Sequence, residues 1–170
     1  GPQIEEYAKK GDPKKYVLPK PIINKGGCNL SFAGLKTAVL KVAKNISSKK
    51  EKYDLAASFQ RTIEEILFKK SRIAMKEFKK SNRLKKNIFV IAGGVAANKN
   101  IRKVLSNLCL KESFTPVFPP LELCGDNAAM IAMVGLEKFK KSKFDQLDYP
   151  VKPRWPLDEN AKFLKGAGVK

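Results

Sequence analysis

The sequence predicts an α/β domain. Three observations carry that expectation. The run Ile88-Phe89-Val90-Ile91-Ala92 has the composition of a buried strand, Gly93-Gly94 turns the chain, and Asn98 to Leu110 continues with helical spacing of Ile101, Val104, Leu105 and Leu108. A second short extended run, Thr115 to Phe118, is closed by Pro119-Pro120. Between Asp54 and Lys80, Leu55, Phe59, Ile63, Ile66, Leu67, Ala74 and Phe78 mark one face of a long helix, opposite a basic flank of Lys69, Lys70, Arg72, Lys76, Lys79 and Lys80.

The remaining elements follow in chain order. Gln3 to Lys10 reads as a short helix, favoured at its start by Pro2 and ended at Gly11-Asp12-Pro13. Its abrupt opening at Gly1-Pro2, without a starter methionine, is what removal of an upstream half produces, although Gly-Pro is also a common remnant of a cleaved tag. From Val17 to Asn29, Pro19, Pro21 and Gly26-Gly27 predict extended and turn structure, and Leu30-Ser31-Phe32 a short strand. After Gly34, the spacing of Leu35, Ala38, Val39, Val42 and Ile46 is helical, and residues 47–52 form a polar connection. Asp126-Asn127 opens an apolar helix over 128–139 whose unbroken run predicts burial. The prolines at 150, 153 and 156 make the tail an extended surface segment.

The chain of 170 residues is long enough to bury a core, and 43% hydrophobic residues argue against general disorder. Lys and Arg number 35 against 16 Asp and Glu, a formal charge of +19 that favours encounter with polyanions, RNA first among them. The lysines lack interleaved aromatic platforms, so a merely solvated basic surface remains open. With no histidine, these residues alone form neither a His-based triad nor a two-His metal site. Cys28, Cys109 and Cys124 have no disulfide or zinc spacing, which fits a reducing compartment and small packed side chains. No apolar run approaches the roughly 18 residues a membrane span needs.

Ala92 to Asn98 has the parts of a nucleotide or phosphate contact: glycines admit close backbone approach, a helix start offers free amides, and Asn98 both donates and accepts. It lacks the Lys-Ser/Thr end of a phosphate loop and the dinucleotide glycine spacing, so a tight turn with Asn98 as N-cap is equally open. Asp126 either caps the following helix or binds a metal with ligands brought from elsewhere. Lys36 or Thr37, within Ser31 to Thr37, would meet an anionic ligand or face solvent.

Six ordered segments together carry more than any one. They are Gly1-Pro2-Gln3-Ile4-Glu5, Leu30 to Val39, Ala57-Ser58-Phe59-Gln60, Ala92 to Asn98, Gly125 to Ala132, and Pro153-Arg154-Trp155-Pro156-Leu157. In this order the chain closely resembles, over nearly its whole length, the C-terminal half of the tRNA threonylcarbamoyladenosine transferase catalytic subunits, formerly called O-sialoglycoprotein endopeptidases or glycoproteases. The old protease label finds no nucleophile and base pair here.

The resemblance implies the second lobe of an actin-like (sugar kinase/Hsp70) fold, its N-terminal lobe absent. Residues 1–157 would form that lobe, with strands in 17–33, helices over 34–46 and 53–80, a nucleotide- and metal-contacting part over 87–140, and a tail over 158–170. It implies transfer of threonylcarbamoyl from threonylcarbamoyl-AMP to N6 of the adenosine 3′-adjacent to the tRNA anticodon. Asn98, helped by Gly93 and Gly94, would contact the nucleotide, Gly1, Pro2 and Glu5 would lie on its adenosine side, and Asp126 would be one ligand of a divalent metal, iron or zinc. The catalytic base stays unassigned. The implied partners are tRNA, a homologous noncatalytic subunit and an accessory ATPase, with a homodimer possible and no membrane, in a bacterial cytoplasm or an organellar matrix. The family's metal-binding histidines have no counterpart in this histidine-free chain, which predicts that these residues alone are inactive. Cys124 stands where relatives usually carry a hydroxyl residue. Competing readings are an actin-like ATP-dependent phosphotransferase using Gly93-Gly94, and a noncatalytic RNA-binding or assembly module using the basic helix.

Overall fold

A computed structural model describes residues 1–81 and 86–151. The expectations for Pro153 to Leu157 and for the 158–170 tail therefore lie outside the described residues. The chain divides into two compact units, Gly1–Asp126 and a second that begins at Asn127. Within the first unit the elements are α1 (Pro2–Ala8), α2 (Leu35–Ala43), α3 (Lys49–Ser81), β1 (Ile88–Val90), a 3-10 turn over Gly94–Ala97, α4 (Lys99–Lys111), β2 (Thr115–Val117) and a 3-10 turn over Leu121–Leu123. The second contains α5 (Ala128–Lys140).

The spine of the first unit is α3, 33 residues long. It starts six residues before Leu55, the first residue of its apolar pattern, because Ser48 and Glu51 form a capping box. Ser48 Oγ accepts from the Glu51 amide at 3.1 Å, and Glu51 Oε2 accepts from the Ser48 amide at 3.0 Å and the Ser47 amide at 3.2 Å. These bonds turn the expected polar connection into the first helical turn, and the Ser48 amide holds the Glu51 carboxyl below the usual carboxylate range.

Two apolar clusters divide α3 between them. Toward its N-terminal half, buried Leu18, Leu35 and Leu55 gather Val39, Val42, Phe59 and Ile63. Toward its C-terminal half, buried Met75, Ile101, Leu105, Leu108, Cys109 and Phe114 gather Ile63, Leu67, Phe78 and Phe89. Ile63 belongs to both clusters, so the two cores are continuous through α3. The stripe of apolar residues is as expected, but Lys70 is not on the solvated flank. It is buried, and its ammonium donates to the carbonyls of Lys25 at 2.7 Å and Gly27 at 3.1 Å.

Those bonds explain why 17–33 contains no strand, contrary to the expectation for it and for Leu30-Ser31-Phe32. A strand needs a neighbouring backbone, and this segment, together with residues 11–16 before it, instead runs as a strap against α3. The Asp12 amide donates to Asp54 Oδ1 at 2.7 Å, the Tyr16 amide to Ser58 Oγ at 3.1 Å, Lys69 Nζ to Asn24 Oδ1 at 2.6 Å and the Cys28 thiol to Glu77 at 3.1 Å.

The α/β expectation holds, and the structure adds the pairing: β1 and β2 run in parallel, in the register Ile88↔Thr115, Phe89↔Pro116, Val90↔Val117, with α4 between them in sequence. Pro116 fits because a two-stranded sheet leaves one hydrogen-bonding edge of each strand unpaired. The expectation of a fully buried strand is corrected. Phe89 packs on the core, but Ile88 and Val90 are 52% and 63% exposed, since helices cover one face of the sheet only.

In the second unit α5 is also not the buried helix its composition predicts; none of its residues is buried. It carries Phe139 against Phe144, with ring centroids 5.9 Å apart, and an ion pair between Lys138 and Asp145. No helix among the described residues is long and apolar enough to cross a membrane.

Candidate functional site

The turn after β1 builds the site. The Ile91 amide donates to the Val117 carbonyl at 3.0 Å, which ends the parallel pairing, and Gly93 then adopts φ 87°, ψ 171°, a conformation essentially reserved for glycine. The Ala96 and Asn98 amides close back onto the Gly93 and Val95 carbonyls at 2.9 and 3.1 Å. This tight 3-10 turn delivers Asn98 to the start of α4.

Asn98 does two things. Its Oδ1 accepts from the Asn100 and Ile101 amides, both at 3.0 Å, as the N-cap of α4, and its Nδ2 donates to Gln60 Oε1 on α3 at 3.0 Å. Glu5 Oε1 accepts from the Lys99 amide at 2.9 Å, tying α1 to the same helix end. The first amides of α4 are thus taken by Asn98 and Glu5, which corrects the expectation that this helix start offers free donors to a ligand.

These groups border a cavity of about 570 Å³ between α1, α3 and the 94–98 turn, within the range of small-molecule sites. Its walls are mainly apolar, from Phe32, Phe59, Ile63, Leu67 and Val95, with Glu5, Gln60 and Asn98 as the polar side chains. Of the sequence candidates, Gly1, Pro2, Glu5, Gly94 and Asn98 line it, while Gly93 shapes the turn without lining it. Gln60 and Phe59 sit in a segment with no chemistry of its own in sequence; the signal that could single out Gln60 is a polar side chain set among Phe59, Ile63 and Leu67 on the inner face.

Asp126 is exposed and does not line this cavity. The α5 cap is Asn127, whose Oδ1 accepts from the Met130 amide at 3.0 Å, so the capping alternative for Asp126 is removed. Among the described residues no group of three or more His, Cys, Asp or Glu side chains is placed to hold a metal. Lys36 and Thr37 are exposed on α2, outside the cavity lining. Cys109 and Cys124 are buried, as small packed side chains. Arg102 joins the two ends of the site region. Its guanidinium donates to the Ala96 carbonyl, to the Pro119 carbonyl at 2.9 Å and to Cys124 Sγ at 3.0 Å, and stacks 4.8 Å from the Phe118 ring centroid.

A family model described as tRNA N6-adenosine threonylcarbamoyltransferase matches residues 1–133. The tRNA N6-adenosine threonylcarbamoyltransferase of Pelagibacter ubique is 74% identical over 170 residues, covering 100% of this chain and 48% of that relative. Those of Rickettsia rickettsii and Rickettsia bellii are 48% and 49% identical over 162 residues, covering 94% of this chain and 47% of each relative. The chain spans about half the length of the curated relatives it matches. With the family model matched over most of its length and a relative 74% identical across all of it, the chain belongs to the tRNA N6-adenosine threonylcarbamoyltransferase family.

Proposed function

We propose that this chain supplies one wall of the site of a tRNA N6-adenosine threonylcarbamoyltransferase, as the second lobe of an actin-like fold. The reaction moves threonylcarbamoyl from threonylcarbamoyl-AMP to N6 of the adenosine 3′-adjacent to the tRNA anticodon. The observation that carries the reading is the gathering of Gly1, Pro2, Glu5, Gly94 and Asn98 around one largely apolar cavity. Phe32, Phe59 and Ile63 offer the flat apolar enclosure that a purine ring fills, and the Asn98–Gln60 amide pair supplies a donor and an acceptor that read its edge. Gly94 leaves the backbone open to close approach. Glu5, held by the Lys99 amide, would accept from a ribose hydroxyl.

In the transfer the N6 amine attacks the carbamoyl carbonyl, its proton leaves, and AMP departs. The role of these residues in that step is to hold the adenylate and exclude water from the ring face. A divalent metal, iron or zinc, would polarise the carbonyl. The exposed Asp126 carboxylate fits one oxygen ligand of such an ion, and because the chain has no histidine, any histidine ligands of that ion would come from outside it. These residues alone are inactive on this reading. The basic surface holds tRNA phosphates, and a homologous noncatalytic subunit and an accessory ATPase assemble with the enzyme.

The test is the full-length protein incubated with threonylcarbamoyl-AMP and unmodified tRNA, with nucleosides analysed by mass. Threonylcarbamoyladenosine is expected, and Asp126→Ala is expected to lose both product and bound metal. Absence of product from the unaltered protein, or ATP hydrolysis indifferent to tRNA, would reject the assignment.

A further inference from the structure

Beside the apolar cavity lies a second, polar one of about 360 Å³, sharing Glu5 and Gln60 with it and carrying Lys9, Lys99, Asn100 and Lys103. Three elements far apart in sequence build it, α3 contributing Gln60. Lys99 and Lys103 are four residues apart on α4 and so share a face, and α1 brings Lys9 opposite them through the bond from the Lys99 amide to Glu5. The acidic groups nearby already have partners. Glu5 accepts from that amide, Glu6 pairs with Lys9, whose ammonium holds its carboxyl below the usual range, and Glu64 accepts from Asn100 Nδ2 at 2.6 Å. Lys99 and Lys103 are exposed and make no ion pair among the described residues.

We infer that this lysine-lined recess is a phosphodiester subsite that positions the polynucleotide substrate against the neighbouring cavity, with Lys99 and Lys103 as positioning residues. The inference rests on the proposed function for the identity of that substrate, and adds where on this chain its backbone is held. Three features favour a polynucleotide phosphate over the phosphate of the small adenylate. The recess opens to solvent. Its cations are flexible lysines without the bidentate fork or backbone cradle that encloses a small anion, and the first amides of α4 are already taken. Such contacts set register and carry no base information, as expected for a site whose specificity lies in the adjoining cavity.

The test uses full-length enzyme with Lys99→Gln and Lys103→Gln together. A control pair of equal charge, Lys76→Gln and Lys80→Gln, lies roughly 24–30 Å further along α3 from Gln60, at about 1.5 Å per residue. Unmodified tRNA binding is measured against salt, and threonylcarbamoyl-AMP binding by calorimetry. For a single-stranded loop, losing two contacts lowers the salt slope by about 1.4. The variant then gains about sevenfold less affinity than wild type on going from about 200 to about 50 mM salt. The control pair is expected to shift the slope by less than half of that, with adenylate affinity and melting unchanged in both. Equal slopes for the two pairs, or no change in the recess pair, would overturn the subsite. Loss of adenylate affinity with tRNA binding intact would assign the recess to the adenylate phosphate instead. An enzyme that binds no tRNA at all would reject the proposed function, a different result from either.

Discussion

Asn98 carries two separable loads, and two substitutions separate them. Asn98→Ala removes both the cap on the Asn100 and Ile101 amides and the link to Gln60. Loss of an N-cap costs about 1 kcal/mol, and a free energy of that size changes an opening equilibrium by about fivefold. Amide exchange in the first turn of α4 is therefore expected to quicken about fivefold. Asn98→Ser keeps an oxygen that caps nearly as well, so α4 exchange is expected to stay near wild type while the amide donor disappears. If that donor also meets the nucleotide, the Ser variant of the full-length enzyme binds threonylcarbamoyl-AMP about tenfold more weakly, a loss of about 1.4 kcal/mol and typical of one buried polar contact. The two readouts are hydrogen exchange resolved at α4 and calorimetric titration of the adenylate. A Ser variant that binds the adenylate like wild type would show Asn98 to be a cap and nothing more. One whose α4 exchanges as fast as in the Ala variant would refute the capping argument.

Two further outcomes follow from packing and charge. In Gly11→Ala the new Cβ would sit 2.0 Å from the Tyr53 carbonyl oxygen and 2.2 Å from its carbon, backbone atoms of α3 that cannot swing aside, so the strap must lift; a loss of about 1–3 kcal/mol is expected, and an unchanged melting temperature would contradict the close approach. The Arg72 guanidinium, 2.7 Å from Glu112, holds that carboxyl below its ordinary range. A folded value below the unfolded one means that this contribution is complete above about pH 5 and lost as pH falls through the lowered value. Glu112→Gln should then lower the neutral plateau while leaving stability nearly unchanged below the lowered value, so that the acid limb flattens, and an acid limb as steep as wild type would remove the pair from the account.

Much of this protein was legible from local pattern. The 3.6-residue spacing of Leu55, Phe59, Ile63 and Ile66 specifies the spine helix, and the strand–glycine–helix order around Gly93 specifies β1, its turn and α4, because both signals depend on neighbours in sequence. The ordered motifs likewise led to the family. Tertiary structure decided everything that needs a partner from far along the chain. Lys70 reads as one more surface lysine until the strap brings the Lys25 and Gly27 carbonyls over it, and 17–33 reads as strand until those backbone groups find side chains rather than a ladder. Hydrophobicity predicts that a segment can be buried, but what covers it is a matter of tertiary contact, which is why Val90 and α5 are exposed despite apolar composition. The same holds at the site. Sequence singled out Asn98 and Glu5, but only folding, by joining α1, α3 and α4 across separations of 38 and 94 residues, gave Asn98 its partner Gln60 and Glu5 its place on the Lys99 amide.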